Sequence, residues 1–201
     1  LGIFPHDYDR TRLSFYSYAK PIFRRDERTG QYTLENVPVP PPKEVYASLQ
    51  KSLGGTGSYA WVFVKNRVRK LLSTLPGCNG YYEETDRVVE YLLARLKDDL
   101  DKTGTKLLIV HIPRGNAFES GEALSRARRE PQTVHLRALY EKLKLPYVDL
   151  LEALPAKHAT ASIYRDHYIH RPDGSIGHFT PRGNAEVAKI VAEALQEKGL
   201  L

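Results

Sequence analysis

The run "KLLIVHIP", residues 106–113, limits the chain's possible folds more than any other segment. Its apolar residues are continuous rather than alternating, and turn residues bound it, as in a strand buried on both faces. A helical stripe precedes it: Val88, Val89, Leu92, Leu93, Leu96 and Leu100 recur at helical spacing between Glu83 and Lys102, and Gly104 supplies the stop. A polar stretch, "RGNAFESGEALSRARRE", follows, then a helix over 131–144 through Leu136, Leu139, Tyr140 and Leu143. "YVDLL" (147–151) reads as another short strand, and a long loop rich in His and Tyr leads to a last helix. Helix, buried strand, helix, strand, helix is the alternation of an α/β fold with a mostly parallel sheet. Ligands of such sheets bind outside the carboxyl ends of the strands. His111, the "PHD" of residues 5–7 and the loop before the last helix are expected near that rim.

The first third is less regular. Leu1–Phe4 reads as a short buried strand running into a polar loop, "PHDYDRTR". Residues 14–23 are aromatic-rich, and "RRDERTGQY" (24–32) reads as an exposed turn centred on Gly30. The prolines of "NVPVPPPKE" (36–44) fix φ and remove donors, which makes it an extended connector. Helices are expected near 43–52 and over 59–73 through Trp61, Val64, Val68, Leu71 and Leu72, separated by the break "LGGTGS". "GGTG" is too short for a phosphate-binding loop and lacks a following Lys-Ser/Thr. With 201 residues and 41% hydrophobic content, residues 1–201 are expected to form a single domain.

The net charge of +6 and pI near 9.3 invite a nucleic-acid reading, but Arg24-Arg25, Lys65–Lys70 and Arg128-Arg129 are short clusters separated by acids. That is the pattern of a solvated surface, and no nucleic-acid partner is expected. Cys78 stands alone, so neither an intramolecular disulfide nor a thiolate metal site is available. No apolar run reaches 18 residues, so no membrane span is expected. The chain has no Met and opens on "LGIF", so a processed product or a piece of something longer is expected.

The stretch "DGSIGHFTPRGNAEVAKIVAEAL" (173–195) carries the clearest site signal. Val187, Ile190, Val191, Ala194 and Leu195 form one apolar stripe, Thr180 suits an N-cap, and Pro181 suits the first helical position. His178 is expected in a tight loop just upstream, fixed yet accessible.

In order, "GIFPHDYD", "KPIF", "LENVPVP", "KLLIVHIP", "LPYVDL" and "DGSIGHFTPRGNAEVA" resemble the SGNH/GDSL hydrolase superfamily. The resemblance implies a flavodoxin-like three-layer α/β/α fold lacking its first strands. It also implies hydrolysis or transfer of acyl groups at esters of carbohydrates or lipids, with no cofactor, and it favours the cell envelope or secretion. The family's chemistry runs through a serine, a histidine that takes its proton and an aspartate that orients the histidine. His178 matches the base. The family's aspartate usually stands three residues upstream, where this chain has Ser175; Asp173, five upstream, is the expected orienter, with Asp166 second. His6-Asp7 stands where the family has Asn-Asp, so His6 is assigned to the oxyanion or substrate loop and Asp7 to tying that loop.

The family's Gly-Asp-Ser block and its oxyanion glycine are missing from these residues. Ser120 and Ser58 lack the required strand-to-helix context. The nucleophile is therefore expected on an N-terminal segment or a companion polypeptide that supplies the missing strands. Two other readings stand beside this one. The first is a non-catalytic binding or scaffold subunit that keeps the fold. The second is a metal site from His158, His167, His170 and His178 with Asp166, which "HRPDG" disfavours by breaking any helix there; no metal is assigned.

Overall fold

Ile109–His111, out of the apolar run, is the middle strand of a three-stranded parallel sheet. The computed structural model describes residues 1–11, 20–41, 43–44, 64, 67–68 and 80–201. The helix and break expected over 43–58, most of the helix over 59–73, Ser58 and Cys78 lie outside them. Among the described residues the chain divides into two compact units, Leu1–Tyr8 with Leu93–Leu201, and Asp9–Leu92.

The sheet of the first unit consists of β1 (Gly2–Ile3), β4 (Ile109–His111) and β5 (Tyr147–Asp149), in the order β1-β4-β5. Gly2 pairs with Val110, and Val110 pairs with Val148. The N–H groups of Val110 and Ile112 donate to the carbonyls of Leu1 and Ile3, both at 2.8 Å. The α/β class read from the sequence is thus present in a small parallel sheet.

Alternation along β4 sends its side chains to two different cores. Leu108, Val110 and Ile112 join Val148 and Leu150 in a cluster with Phe118, Leu154, Ile163 and Ile190. Phe118, Leu150, Leu154 and Ile163 are wholly buried, each contributing about 1.5–3 kcal/mol relative to exposure. On the opposite face, the His111 ring meets Tyr140 edge-on at 6.3 Å.

Several helices begin where the sequence placed strand or loop. α1 (Pro5–Arg10) replaces the polar loop expected over "PHDYDRTR". Phe4 is its N-cap; Pro5 sits at the first helical position, and the Asp7 carboxylate accepts from the Phe4 N–H at 3.0 Å. The polar stretch 114–130 folds into a 3-10 turn, Gly115–Phe118, and α3 (Gly121–Arg128). Ser120 caps α3, its hydroxyl accepting from Ala123 N–H at 3.1 Å. The strand expected over 147–151 stops at Asp149, whose Oδ1 accepts from Leu151 N–H at 2.8 Å and starts α5 (Leu150–Lys157).

The helix expected from Glu83 to Lys102 is α2 (Gly80–Lys102), ended by Gly104 at φ +67°. The helix expected over 131–144 is α4 (Pro131–Lys142). The long loop after β5 is not a loop. Beyond α5 it forms a short α6 (Thr160–Ser162), a π-helical turn (Ile163–His167) and an antiparallel hairpin of β6 (Tyr168–His170) and β7 (Ile176–Phe179). The last helix, α7 (Pro181–Glu197), starts as the sequence predicts: Thr180 Oγ1 accepts from Gly183 N–H at 3.0 Å.

In the second unit, β2 (Ile22–Arg25) and β3 (Tyr32–Glu35) form an antiparallel hairpin around the turn expected at Gly30, whose φ is +73°. Asp26 Oδ1 accepts from the N–H groups of Arg28 and Thr29, both at 2.8 Å. Tyr32 stacks on Tyr91 at 4.1 Å, and its hydroxyl donates to the Arg87 carbonyl at 2.9 Å. Among the described residues no helix is long and apolar enough to cross a membrane.

Candidate functional site

The carboxyl ends of β1, β4 and β5 bring Phe4–Asp7, Ile112–Asn116 and Leu150–Leu151 to one edge of the sheet. His6 follows β1 there. Its ring stacks on Phe4 at 5.2 Å, and Nε2 lies 3.8 Å from Asp7 Oδ1. Asp7 spends its other oxygen on the Phe4 N–H, which closes the first turn of α1.

The hairpin that carries His178 is fastened to this edge. The Tyr168 hydroxyl donates to the Pro113 carbonyl at 3.3 Å. A Cβ on Gly115 would lie 2.4 Å from Ile176 Cγ2 and 2.7 Å from Tyr168 Cδ1, so only a glycine lets the hairpin close down on the 3-10 turn. Phe179 packs on Tyr168 at 4.6 Å.

His178 is exposed on β7 rather than in the tight loop the sequence suggested. Its backbone is fixed by the hairpin and by the start of α7, while its ring makes no hydrogen bond or ion pair among the described residues. Asp173 sits at the hairpin's turn, where Gly174 has φ +77°. Asp173 Oδ1 accepts from both the hydroxyl (2.6 Å) and the N–H (2.9 Å) of Ser175, bonds that hold its pKa below the usual carboxylate range. The structure therefore brings Asp173 to Ser175 and not to His178.

Asp166 is committed elsewhere. Arg165 grips both its oxygens, at 2.7 and 3.0 Å, and depresses its pKa, while its carbonyl accepts from the Thr180 hydroxyl at 2.8 Å. The remaining histidines also have separate surroundings. His170 Nε2 lies 2.8 Å from the Tyr164 carbonyl, and the buried His167 has Nδ1 3.4 Å from the Ser162 carbonyl. His158 Nε2 is 3.2 Å from Glu186 Oε1, within ion-pair distance though outside hydrogen-bond geometry. Among the described residues no three His, Cys, Asp or Glu side chains converge on a point where a metal ion would sit.

His111 ends β4 at the same edge but is wholly buried rather than on the rim. Neither ring nitrogen has a hydrogen-bond partner, nor does the buried Tyr140 hydroxyl. Burial lowers the His111 pKa, against the pull of the Asp149 carboxylate. Burial likewise raises the Tyr140 pKa well above a free phenol's. Asp149 is the anion of this region: Arg137 Nε donates to its Oδ2 at 2.6 Å, and Arg137 also reaches Glu152 at 3.0 Å.

A cleft of about 150 Å³ opens at the carboxyl edge, lined among others by Pro5, Pro113, Arg114, Asn116, Thr133 and Leu151. Sequence reasoning singled out none of these as site residues. Arg114 and Asn116 follow a buried strand directly, and that position was the available signal. Compared with protein-family models, with curated proteins and with solved structures, the chain matches none.

Proposed function

We propose that this chain is part of an SGNH-type module, with a flavodoxin-like three-layer fold, that hydrolyses or transfers an acyl group at a carbohydrate or lipid ester. The observation that carries the reading is the setting of His178. It is an exposed imidazole on a hairpin fastened by Tyr168 and Gly115 to the carboxyl edge of a parallel sheet. A rigid backbone with a free ring is what a general base requires.

In this reading His178 takes the proton of a serine hydroxyl, the serine oxygen attacks the ester carbonyl, and the proton passes to the departing alcohol. His6 stands by the oxyanion as an N–H donor. Asp173 orients His178, which requires its carboxylate to exchange Ser175 for the ring when substrate binds; catalytic hydrogen bonds commonly tighten only in the substrate complex. Ser120 and Ser175 are engaged in capping and turn bonds, so the reading assigns the nucleophile to a serine outside these 201 residues. A second reading, a binding or scaffold subunit, draws on Asp173 being satisfied by Ser175 and on His6 replacing asparagine.

Fluorophosphonate labelling of the protein isolated from its natural source, with the modified residue mapped by mass spectrometry, separates the two. The hydrolase reading expects one labelled serine, with labelling abolished by His178→Gln and slowed by Asp173→Asn. A folded protein that takes no label, or labelling unchanged by His178→Gln, leaves the binding subunit.

A further inference from the structure

The cleft beside the sheet edge has features that the hydrolase reading does not use. One wall is apolar, formed by Pro5, Pro113, Ala127 and Leu151. The remainder carries charges of both signs. Arg114, Glu119 and Glu130 line it, and among the described residues none of the three side chains has a hydrogen-bond or ion-pair partner. Arg126, also at the cleft, is already matched by Glu122 at 3.0 Å. The observation that singles out this cleft is Thr133. It lines the cleft from α4 with the residue 1% exposed, and its hydroxyl oxygen is buried with no hydrogen-bond partner. Buried hydroxyls are normally satisfied, and an orphan beside a cavity is a group awaiting a ligand or an ordered water.

Size and charge together narrow the ligand. A cavity of about 150 Å³ accommodates a molecule the size of benzene, so a ligand of about eight heavy atoms fits with a part left in solvent, and an oligosaccharide does not. An unpaired guanidinium binds a carboxylate through its planar fork, and unpaired carboxylates bind an ammonium group. A neutral ligand leaves both signs unmatched, and a simple anion meets two carboxylates. We propose that this cleft binds a small zwitterionic α-amino acid. Its carboxylate lies on Arg114, its ammonium group faces Glu130 and Glu119, and its apolar side chain rests on Pro5, Ala127 and Leu151. The Thr133 hydroxyl, which can donate or accept, supplies the fixed hydrogen bond. His178 and Asp173 are not among the lining residues, so this inference does not rest on the hydrolase reading.

The test is calorimetric titration of the 201-residue chain with L-valine, and with isovalerate and isobutylamine, which lack its ammonium and its carboxylate respectively. The expected result is saturable valine binding, with each analogue at least about tenfold weaker, the scale of one lost charged contact. Arg114→Gln should weaken valine while leaving isobutylamine unchanged, and Glu130→Gln should weaken valine while leaving isovalerate unchanged. Both side chains are solvent-accessible, and circular dichroism checks that each variant keeps its fold. The proposal is overturned by the absence of saturable binding up to roughly 10 mM valine. Isovalerate binding as tightly as valine also overturns it, as does valine binding unaffected by both substitutions.

Discussion

The Tyr168 hydroxyl donates to the Pro113 carbonyl at 3.3 Å, joining the hairpin that bears His178 to the loop at the carboxyl end of β4. Burial keeps the phenol protonated, with its pKa raised well above the free value, so the donor persists across the ordinary pH range. Tyr168→Phe removes this bond and keeps the ring contacts with Phe118 and Phe179. The expected loss in urea denaturation is about 1 kcal/mol, the net value of one hydrogen bond. Tyr168→Leu, which also removes the ring contacts, should cost more.

Asp149 ends a strand, caps a helix and neutralises an arginine. Its side chain is only 7% exposed, and Arg137 beside it is 24% exposed. Asp149→Ala deletes the α5 cap and leaves the guanidinium without its nearest buried anion. Breaking a buried pair from one side costs about 3–5 kcal/mol. Because Glu152 still reaches Arg137 at 3.0 Å, the lower end of that range is expected. Asp149→Asn keeps an acceptor for the Leu151 N–H, so its loss in urea denaturation should be clearly smaller than that of the alanine variant.

The same residue shows why some of the fold was legible in the sequence and some was not. α2, α4, β4 and α7 announce themselves through long apolar periodicity and, for α7, through Thr180-Pro181 at its start. "YVDLL" conceals a change of state, because Asp149 serves as the last strand residue and the N-cap at once, and apolar leucines on both sides hide the boundary. α1 and α3 were missed because they are short and polar outward, with their signals in single capping residues, Asp7 and Ser120, rather than in periodicity. The hairpin of β6 and β7 was read as loop because its pairing is non-local in pattern and its strands are only 3 and 4 residues long. Of the site, the sequence located His178 and its helix. The partner of Asp173 depends on turn geometry that spacing alone does not encode, and the cleft gathers residues from four separate segments.

His111 makes stability depend on pH. Burial lowers its folded pKa below the unfolded value, opposed by Asp149 and assisted by the positive charge of Arg137. Between the two pKa values the unfolded chain binds a proton that the folded chain does not. The contribution is therefore fully present above the unfolded histidine value, near 6.5, and is lost as pH falls toward the folded pKa. His111→Leu removes the titration together with two unpartnered ring nitrogens. Relative to the natural chain, the variant should gain stability as pH is lowered from about 7 to about 5, read as the difference in urea midpoint. A constant difference across that window would show that the ring does not titrate on unfolding.

Two glycines at helix starts should respond in opposite ways to the same substitution. A Cβ on Gly183, in the first turn of α7, would lie 2.3 Å from the His167 carbonyl oxygen and 3.1 Å from its carbon. Those atoms are backbone, tied further by the Thr180 N–H at 2.9 Å, so no side chain can swing away to make room. Gly183→Ala must push α7 off the π-helical turn, and overpacking of this kind costs about 1–3 kcal/mol or more. Gly121, at the first position of α3, has nothing within 4 Å of a built Cβ. Gly121→Ala should be neutral or stabilise by about 0.4–1 kcal/mol, because alanine restricts the unfolded chain and favours the helix. Thermal and urea unfolding of the two variants in parallel checks the contrast. An equal response would mean that α7 can shift away from the turn freely, and then His178, two residues before the helix cap, would not be rigidly placed.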